Sequence, residues 1–353
     1  MDEFTTPPPV ERGDRVAVLA PASNAPESAR HVYELGVERM RERFDLAPVG
    51  LETATADPGW LAENPDARAA DVHEAFENPD YAAAIANIGG HDQIRVLEHL
   101  DRGLLADHPT RFFGWSDNTH LALTLWNRGV VSYYGGSTLL EYAMDGELFD
   151  YTVDYLERAL FEDSLGELRE PEVSTDETGD WDDPEGLETP RETERHPGFT
   201  WAGGDEFAAG RVWGGCLGSI RGRLLADRDL PDPAALDGAV LAIETSELLP
   251  HPSDVAGALQ ALGERGWLGR FDAVLVGRPA ARSHDPLYQR DADWRAAFRE
   301  RQRESIADTV ARYNPEAPVV FDLPFGHTYP TAPIPIGGRV EIDPGTETVR
   351  FPA

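Results

Sequence analysis

Short, mostly apolar runs alternate with amphipathic stretches in the N-terminal part of the chain. Apolar runs of this length predict buried strands, and apolar residues that recur every three or four positions predict helices. The predicted strands lie within residues 14–23, 81–92, 111–116 and 130–136, and the predicted helices within residues 28–44, 67–80, 94–101 and 117–129. Regular alternation of strand and helix indicates an α/β domain with a parallel sheet.

The C-terminal part of the chain shows a similar alternation. Its predicted strands lie within residues 239–247, 271–279 and 317–327, and its predicted helices within residues 252–266 and 291–313. Two alternating runs around Pro344 and Gly345 predict a hairpin over residues 337–351. At the other end, residues 1–13 are rich in proline and polar side chains, which predicts a loose arm.

The composition changes between these two parts, from about Glu162 to His196. This segment is rich in Asp, Glu, Thr and Pro and poor in aliphatic residues, which is typical of a linker or an exposed loop. We therefore expect an N-terminal domain over residues 1–160, an acidic linker over residues 161–205 and a C-terminal domain over residues 206–353.

The charge balance excludes several kinds of partner. The 353 residues include 64 acidic and 31 basic side chains, which gives a formal net charge of −33. A surface this negative repels nucleic acids and anionic membranes, so neither is expected as a partner. The sequence shows neither an apolar stretch of membrane-spanning length nor the pattern of a secretory leader, which predicts a cytoplasmic protein.

All of the basic residues are arginines, and the chain contains no lysine. A Walker A phosphate loop, a pyridoxal Schiff base, a Ser-Lys dyad and a kinase-type ATP site all need a lysine amine, so these four sites are excluded. An acidic, lysine-free surface is expected of a halophilic protein, because salt screens the repulsion between its charges. A GC-rich genome that replaces lysine with arginine would also give this composition.

Ser116 stands between a predicted strand and a predicted helix, in the stretch FFGWSDNTH, and two interpretations are open. The serine is either a helix cap, a role that its neighbours Asp117 and Asn118 also suit, or a nucleophile held at a sharp turn. Gly114 would permit such a turn, and the N–H of Asp117 would then point at a developing oxyanion. The pattern lacks the second glycine of the α/β-hydrolase elbow, which weakens a lipase-like interpretation.

A nucleophilic serine needs a base and a carboxylate that orients the base. His327 follows a predicted strand, and it is either that base or a solvated loop histidine. Glu244 ends another predicted strand, where its carboxylate either pairs with a histidine or faces water. The glycine pair that ends at Gly90 either supplies an oxyanion donor or forms an ordinary turn.

Two further groups of residues are not expected to form sites. Cys216, the single cysteine, lies in a glycine-rich stretch without the dinucleotide-binding fingerprint, so we expect a packed apolar residue. His91 and His99 lack the spacing of zinc ligands, and no metal site is expected.

Five stretches, taken in order, resemble the serine peptidase family of LD-carboxypeptidases (muramoyltetrapeptide carboxypeptidases) and microcin C self-immunity peptidases. They are NIGGHDQIRVLEHLD, FFGWSDNTHLALTLWNRGVVSYYGGS, GRVWGGCLGSIRGRL, LAIETSE and LPFGHTYPTAPIPIGGRVEID. The resemblance implies an α/β fold, with an N-terminal parallel domain of flavodoxin or glutamine-amidotransferase type and a smaller, β-rich C-terminal domain. It also implies a homodimer that uses neither a metal nor another cofactor.

The same resemblance implies a role for each candidate residue. Ser116 would be the nucleophile, His327 the base and Glu244 the orienting acid, and the N–H groups of Gly90 and Asp117 would hold the oxyanion. The nucleophile Ser116 would thus come from the N-terminal domain, and the acid and the base would come from the C-terminal domain.

Substrate contacts are also implied. In immunity-type members an aromatic residue of the inter-domain loop stacks on the nucleotide part of the substrate; Trp201 looks similarly placed, and Trp181 is the alternative. A substrate carboxylate would need an arginine or backbone N–H groups, and Arg221 and Arg95 are candidates. The stretch NIGGHD differs from the arginine-led, tyrosine-containing motif of murein-recycling members, which favours the immunity-like branch.

We therefore expect a serine peptidase or amidase. Its substrate would be a small peptide or an aminoacyl nucleotide, cleaved at an amide next to a C-terminal residue or an aminoacyl-nucleotide-like group. Two alternatives remain open from the sequence: a binding protein that sequesters such a ligand without hydrolysing it, and an ester or thioester hydrolase that uses the same three residues.

Overall fold

The computed structural model describes residues 4–25, 27–283 and 289–353, which form two sheets with helices packed around them. The strands are β1 Arg15–Leu19, β2 Ala47–Gly50, β3 Ala83–Ala86, β4 Arg111–Phe113, β5 Ser132–Tyr134, β6 Gly166–Glu167, β7 Val173–Ser174, β8 Glu194–Arg195, β9 Thr200–Gly203, β10 Ala208–Cys216, β11 Val240–Glu244, β12 Ala273–Gly277, β13 Pro318–Leu323, β14 Ile334–Ile336, β15 Arg339–Asp343 and β16 Thr348–Phe351.

The α-helices are α1 Arg30–Phe44, α2 Pro58–Glu63, α3 Pro65–Glu77, α4 Arg102–Asp107, α5 Thr119–Trp126, α6 Asp150–Phe161, α7 Leu217–Ala226, α8 Pro252–Glu264 and α9 Ala292–Tyr313. Short 3₁₀ helices lie at Glu27–Ala29, Glu52–Thr55, Gln93–Glu98, Ser116–Asn118, Pro184–Glu188, Pro233–Leu236 and Leu268–Arg270, and a π-helical turn lies at Thr138–Tyr142. In the parts of the chain that the structure describes, no helix has the length and apolar character needed to cross a membrane.

The first sheet has the strand order β14-β5-β4-β3-β1-β2. Strands β1 to β5 are parallel, and β14 adds an antiparallel edge. The central strands β3 and β4 are buried along their whole length, as expected for a parallel sheet with both faces covered. The predicted α/β fold with a parallel sheet is confirmed.

The second sheet has the order β6-β16-β15-β10-β11-β12-β13-β9. Its centre, β10 to β13, is parallel, and its outer strands pair in antiparallel fashion. The predicted hairpin is confirmed, since β15 pairs with β16. Both β6 and β9 come from the acidic segment, so this segment contributes strands to the second sheet as well as connecting the two parts of the chain.

The expected loose arm at the N-terminus is wrong from residue 4 onwards, and its first three residues lie outside the described residues. Arg111 of β4 is fully buried, and its guanidinium binds backbone carbonyls of the arm and of the end of α6. The acceptors are the carbonyl oxygens of Pro7 at 3.0 Å, Pro8 at 2.8 Å, Leu160 at 3.3 Å, Glu162 at 3.0 Å and Ala159. The arm is therefore fixed to the sheet by a buried cation.

Candidate functional site

The carboxyl ends of the parallel strands of both sheets face one cleft of about 710 Å³. Gly89 and Gly90 follow β3 and Ser116 follows β4, and all three line the cleft. His327 follows β13 and reaches the cleft from the second sheet. Loops beyond the carboxyl ends of parallel strands commonly form binding sites, because adjacent strands place their loops side by side.

Ser116 occupies a sharp turn between β4 and α5. Its φ angle is +58°, a conformation that non-glycine residues seldom adopt outside turns and functional sites. The cap positions of the 3₁₀ turn at Ser116–Asn118 and of α5 are Trp115 and Asn118, and neither makes a side-chain cap hydrogen bond. The structure thus places Ser116 at a half-buried turn that lines the cleft and does not support the helix-cap interpretation.

Glu244 and His327 are in direct contact. The Oε2 atom of Glu244 lies 2.7 Å from Nδ1 of His327, and the Glu244 side chain is fully buried at the end of β11. Close packing of two glycines makes room for this carboxylate, since a Cβ at Gly326 would lie 2.7 Å from the Glu244 side chain and one at Gly277 would lie 2.9 Å from its Cβ. The contact fixes the orientation of the imidazole ring.

Tyr134 connects this pair to the serine. Its hydroxyl accepts a hydrogen bond from the Ser116 N–H at 2.9 Å and donates one to Oε1 of Glu244 at 2.7 Å. Burial, together with the adjacent Glu244 carboxylate, raises the pKa of the phenol well above its usual value, so the hydroxyl keeps its proton. One neutral side chain therefore holds both the turn at Ser116 and the orientation of Glu244.

Gly89 is the glycine that lies directly against the serine. A Cβ at Gly89 would lie 2.5 Å from the Ser116 Cβ, 2.8 Å from its Oγ and 3.3 Å from the backbone N of Asp117. Gly90, the residue chosen from the sequence, lies next to it and packs against Ser23. Both glycines and Ser116 line the cleft.

The second ring nitrogen of His327 has its own partner. Nε2 lies 2.9 Å from Oε2 of Glu247, whose side chain is 23% exposed and lines the cleft. Burial lowers the pKa of His327, but the two carboxylates outweigh it and raise the pKa to about 10. With a carboxylate at each nitrogen, the ring is held as an imidazolium at neutral pH.

Three of the substrate-contact candidates expected from the sequence lie outside the cleft. Trp201 is on β9, where it pairs with Val320 and packs against the core, whereas Trp181 lines the cleft. Arg221 and Arg95 are exposed and are not among the residues that line the cleft. The arginines that do line it are Arg191 and Arg282.

The glycine-rich stretch around Cys216 holds the two sheets together. A Cβ at Gly215 would lie 2.5 Å from the Thr119 hydroxyl, and the backbone N–H of Cys216 donates to that hydroxyl at 2.9 Å. Thr119 in turn donates to the carbonyl of Ser116 at 2.6 Å. Cys216 itself is buried, as expected, and burial raises the pKa of its thiol.

The chain matches two family models over most of its length. The model of the LD-carboxypeptidase N-terminal domain matches residues 16–135, and the model of the LD-carboxypeptidase C-terminal domain matches residues 209–342. The chain belongs to the LD-carboxypeptidase family. The residues around Ser116 fall in the first model, and Glu244 and His327 fall in the second.

Similar proteins include a microcin self-immunity protein and putative carboxypeptidases. The microcin C7 self-immunity protein MccF of Escherichia coli is 23% identical, over 95% of this chain and 92% of that protein. The putative carboxypeptidase YocD of Bacillus subtilis is 24% identical, over 96% of this chain and 97% of that protein. An MccF-like protein from Streptococcus pneumoniae, solved in complex with AMP, has a TM-score of 0.86 at 25% identity and covers 96% of this chain and 98% of its own.

Three residues at the site of this LD-carboxypeptidase family member were not found from its sequence: Gly89, Tyr134 and Glu247. Gly89 precedes Gly90, the glycine proposed from the sequence, and only the three-dimensional structure shows that Gly89 is the one that contacts Ser116. Tyr134 lies in a predicted strand, and its role depends on β5 being the neighbour of β4. Glu247 comes three positions after Glu244 in the stretch LAIETSE, and this spacing was the available signal.

Proposed function

We propose that the protein is a serine peptidase or amidase in which Ser116 is the nucleophile, His327 the base and Glu244 the orienting acid. The observation that carries the proposal is the contact of 2.7 Å between Glu244 and His327 in the cleft that also holds Ser116 at its strained turn. Ser116 and His327 line the cleft, and the buried Glu244 lies directly behind His327; a nucleophile, a base and an orienting carboxylate are the groups that acyl transfer requires.

The reaction follows from these positions. With His327 neutral, Ser116 Oγ attacks the scissile carbonyl carbon and its proton passes to Nε2 of His327, while Glu244 keeps the other nitrogen protonated. The C–N bond then breaks, and the imidazolium returns the proton to the leaving nitrogen. Water, deprotonated by the same histidine, hydrolyses the acyl-serine ester and regenerates the hydroxyl.

The oxyanion formed in each step needs hydrogen-bond donors. We assign this role to the backbone N–H groups of Gly90 and Asp117, which flank the serine on the side of β3 and on the side of α5. The Ser116 N–H is already bound to Tyr134. Each donor in such a site contributes roughly 3 kcal/mol to transition-state stabilisation.

The proposed substrate is an amide next to a C-terminal residue or an aminoacyl-nucleotide-like group. Relatives support the second class: the Streptococcus pneumoniae protein was solved with AMP, and MccF was solved with aspartyl sulfamoyl adenosine and with glutamyl sulfamoyl guanosine. A cleft of about 710 Å³ with Trp181 on its wall has room for a ligand of this size.

The test is hydrolysis together with active-site labelling. Purified protein at molar salt is incubated with an LD-linked peptide, with aspartyl-sulfamoyl adenosine and with a fluorophosphonate that reacts with activated serines, and Ser116→Ala serves as the blank. We expect labelling and hydrolysis in the wild type alone. A folded wild type that binds aspartyl-sulfamoyl adenosine but neither hydrolyses it nor reacts with the fluorophosphonate would instead be a sequestering protein.

Trp181, and not Trp201, is expected to stack on the nucleobase. Loss of stacking on an aromatic ring costs about 1–3 kcal/mol, so Trp181→Ala should weaken AMP binding by roughly 10- to 100-fold. Isothermal titration with AMP measures this change. Trp181→Phe keeps a ring and should retain most of the affinity, and Trp201→Phe should bind like the wild type. Weakened binding in Trp201→Phe alone would refute the assignment.

A further inference from the structure

The Glu247 carboxylate lies beside Nε2 of His327, the atom that must accept the Ser116 proton in the proposed reaction. His327 must accept the Ser116 proton at Nε2, and in this structure Nε2 lies 2.9 Å from the Glu247 carboxylate. Glu244 holds Nδ1 at 2.7 Å. The imidazole is therefore bound at both nitrogens by carboxylates, a state in which both nitrogens carry protons.

An imidazolium held in this way is not a base. Its pKa of about 10 leaves His327 protonated near neutral pH, and the Ser116 proton then has no acceptor. The charged groups that act on the ring among the described residues are Glu244 and Glu247. Glu244 is fully buried, whereas the Glu247 side chain is 23% exposed and lines the cleft, so Glu247 is the carboxylate that a bound substrate can contact.

The other charged side chains that line the cleft indicate which ligand charge Glu247 would attract. Arg191 is paired with Asp145 at 2.8 Å, and Arg282 is paired with Asp176 at 3.2 Å and with Glu177 at 3.0 Å. Both arginines that line the described cleft bind carboxylates, and Glu247 adds a further negative charge beside the catalytic histidine. A substrate cation near the scissile bond would be attracted there, and an anion would be repelled.

We propose that Glu247 determines specificity by binding a positively charged nitrogen of the substrate next to the scissile amide, which frees His327 to act as the base. The inference rests on the proposed serine peptidase function. Once Glu247 has turned to the substrate cation, the imidazolium has lost one of its two carboxylates, and its extra proton passes to water. Hydrolysis is then coupled to recognition of the cation.

The recognised cation is an ammonium or a guanidinium, and two parts of a substrate can supply it. One is the α-ammonium of an unblocked aminoacyl group, and the other is a basic side chain. Alanyl-, lysyl- and aspartyl-sulfamoyl adenosine, each with a free or an acetylated α-amine, separate the two sources.

The experiment compares kcat/KM of wild type, Glu247→Gln and the control Glu206→Gln on these six compounds. Glu206 is exposed and is not among the residues lining the cleft. We expect wild type and Glu206→Gln to prefer cationic over acetylated alanyl substrate by at least about tenfold, the effect of one close charge pair of about 1.4 kcal/mol. Glu247→Gln should lose this preference. An equal preference in Glu247→Gln and wild type would overturn the proposal.

A second readout does not depend on the choice of substrate. The rate of fluorophosphonate labelling is measured against pH for the same three proteins. Removal of one carboxylate lowers the pKa of His327, so the midpoint of labelling should fall by at least about one pH unit in Glu247→Gln and stay unchanged in Glu206→Gln. Labelling with identical midpoints overturns the role of Glu247 alone. A folded wild type that is not labelled at any pH overturns the serine peptidase function as well.

Discussion

Glu244→Gln is expected to lower kcat by about 10⁴-fold, the size of effect seen when a triad acid becomes an amide. The carboxylate accepts the proton on Nδ1 of His327 at 2.7 Å and so keeps Nε2 available for the Ser116 proton. A glutamine amide that donates to Nδ1 stabilises the opposite tautomer, with the proton on Nε2, which cannot accept a proton from serine. Steady-state hydrolysis of aspartyl-sulfamoyl adenosine measures the change.

Tyr134→Phe is the matched control for this variant. It removes the other hydrogen bond of Glu244 and the partner of the Ser116 N–H but leaves the tautomer of His327 unchanged. The loss of these two hydrogen bonds should lower kcat by roughly 10- to 100-fold, which corresponds to about 1–3 kcal/mol of transition-state stabilisation. Equal rates in Glu244→Gln and Tyr134→Phe would show that Glu244 supports packing and does not set the tautomer.

The second large effect concerns stability. Arg111→Met is expected to lower the free energy of unfolding by about 3–5 kcal/mol, because several buried carbonyl oxygens lose their donor at once. The arm at Pro7 and Pro8 and the end of α6 are held by this guanidinium. Methionine fills a similar volume, so the change tests hydrogen bonding more than packing. Urea unfolding at one fixed salt concentration measures it.

Arg12→Met provides the comparison for Arg111→Met. Arg12 also lies near the N-terminus, but its side chain is half exposed and it binds the carbonyl of Phe44 and the carboxylate of Glu157 at the surface. A surface arginine of this kind contributes about 1 kcal/mol or less. If Arg111→Met and Arg12→Met unfold at the same urea concentration, the buried cation does not hold the arm.

The elements around the site could be predicted because strong periodicity lies beside each candidate residue. Ser116, Glu244 and His327 each follow a buried strand, and the apolar runs that predict β4, β11 and β13 are hard to interpret otherwise. The apolar runs do not predict that Ser116, Glu244 and His327 lie close together in the fold. This proximity depends on strand order and on a glycine contact at Gly215, neither of which leaves a periodic pattern.

The errors have physical causes of the same kind. A proline-rich arm has a loop composition, and its attachment to the sheet depends on carbonyl oxygens that every sequence has and on one arginine from a distant strand. Trp201 and Trp181 both come from an acidic segment without periodicity, and the pairing of β9 with β13 decides which of them faces the cleft. Glu247 reaches His327 through a turn whose geometry the stretch LAIETSE does not specify.

The pairing of β14 with β5 affects how the protein can be made. Ile334 lies opposite Tyr134, so the edge of the first sheet is closed by residues that leave the ribosome after His327 has been added. Until then the nascent N-terminal half exposes an unpaired strand edge beside its serine, and such edges associate with other chains. During synthesis His327 and the edge strand β14 are therefore added almost together. An N-terminal half expressed without β14 would keep this strand edge unpaired and would tend to aggregate.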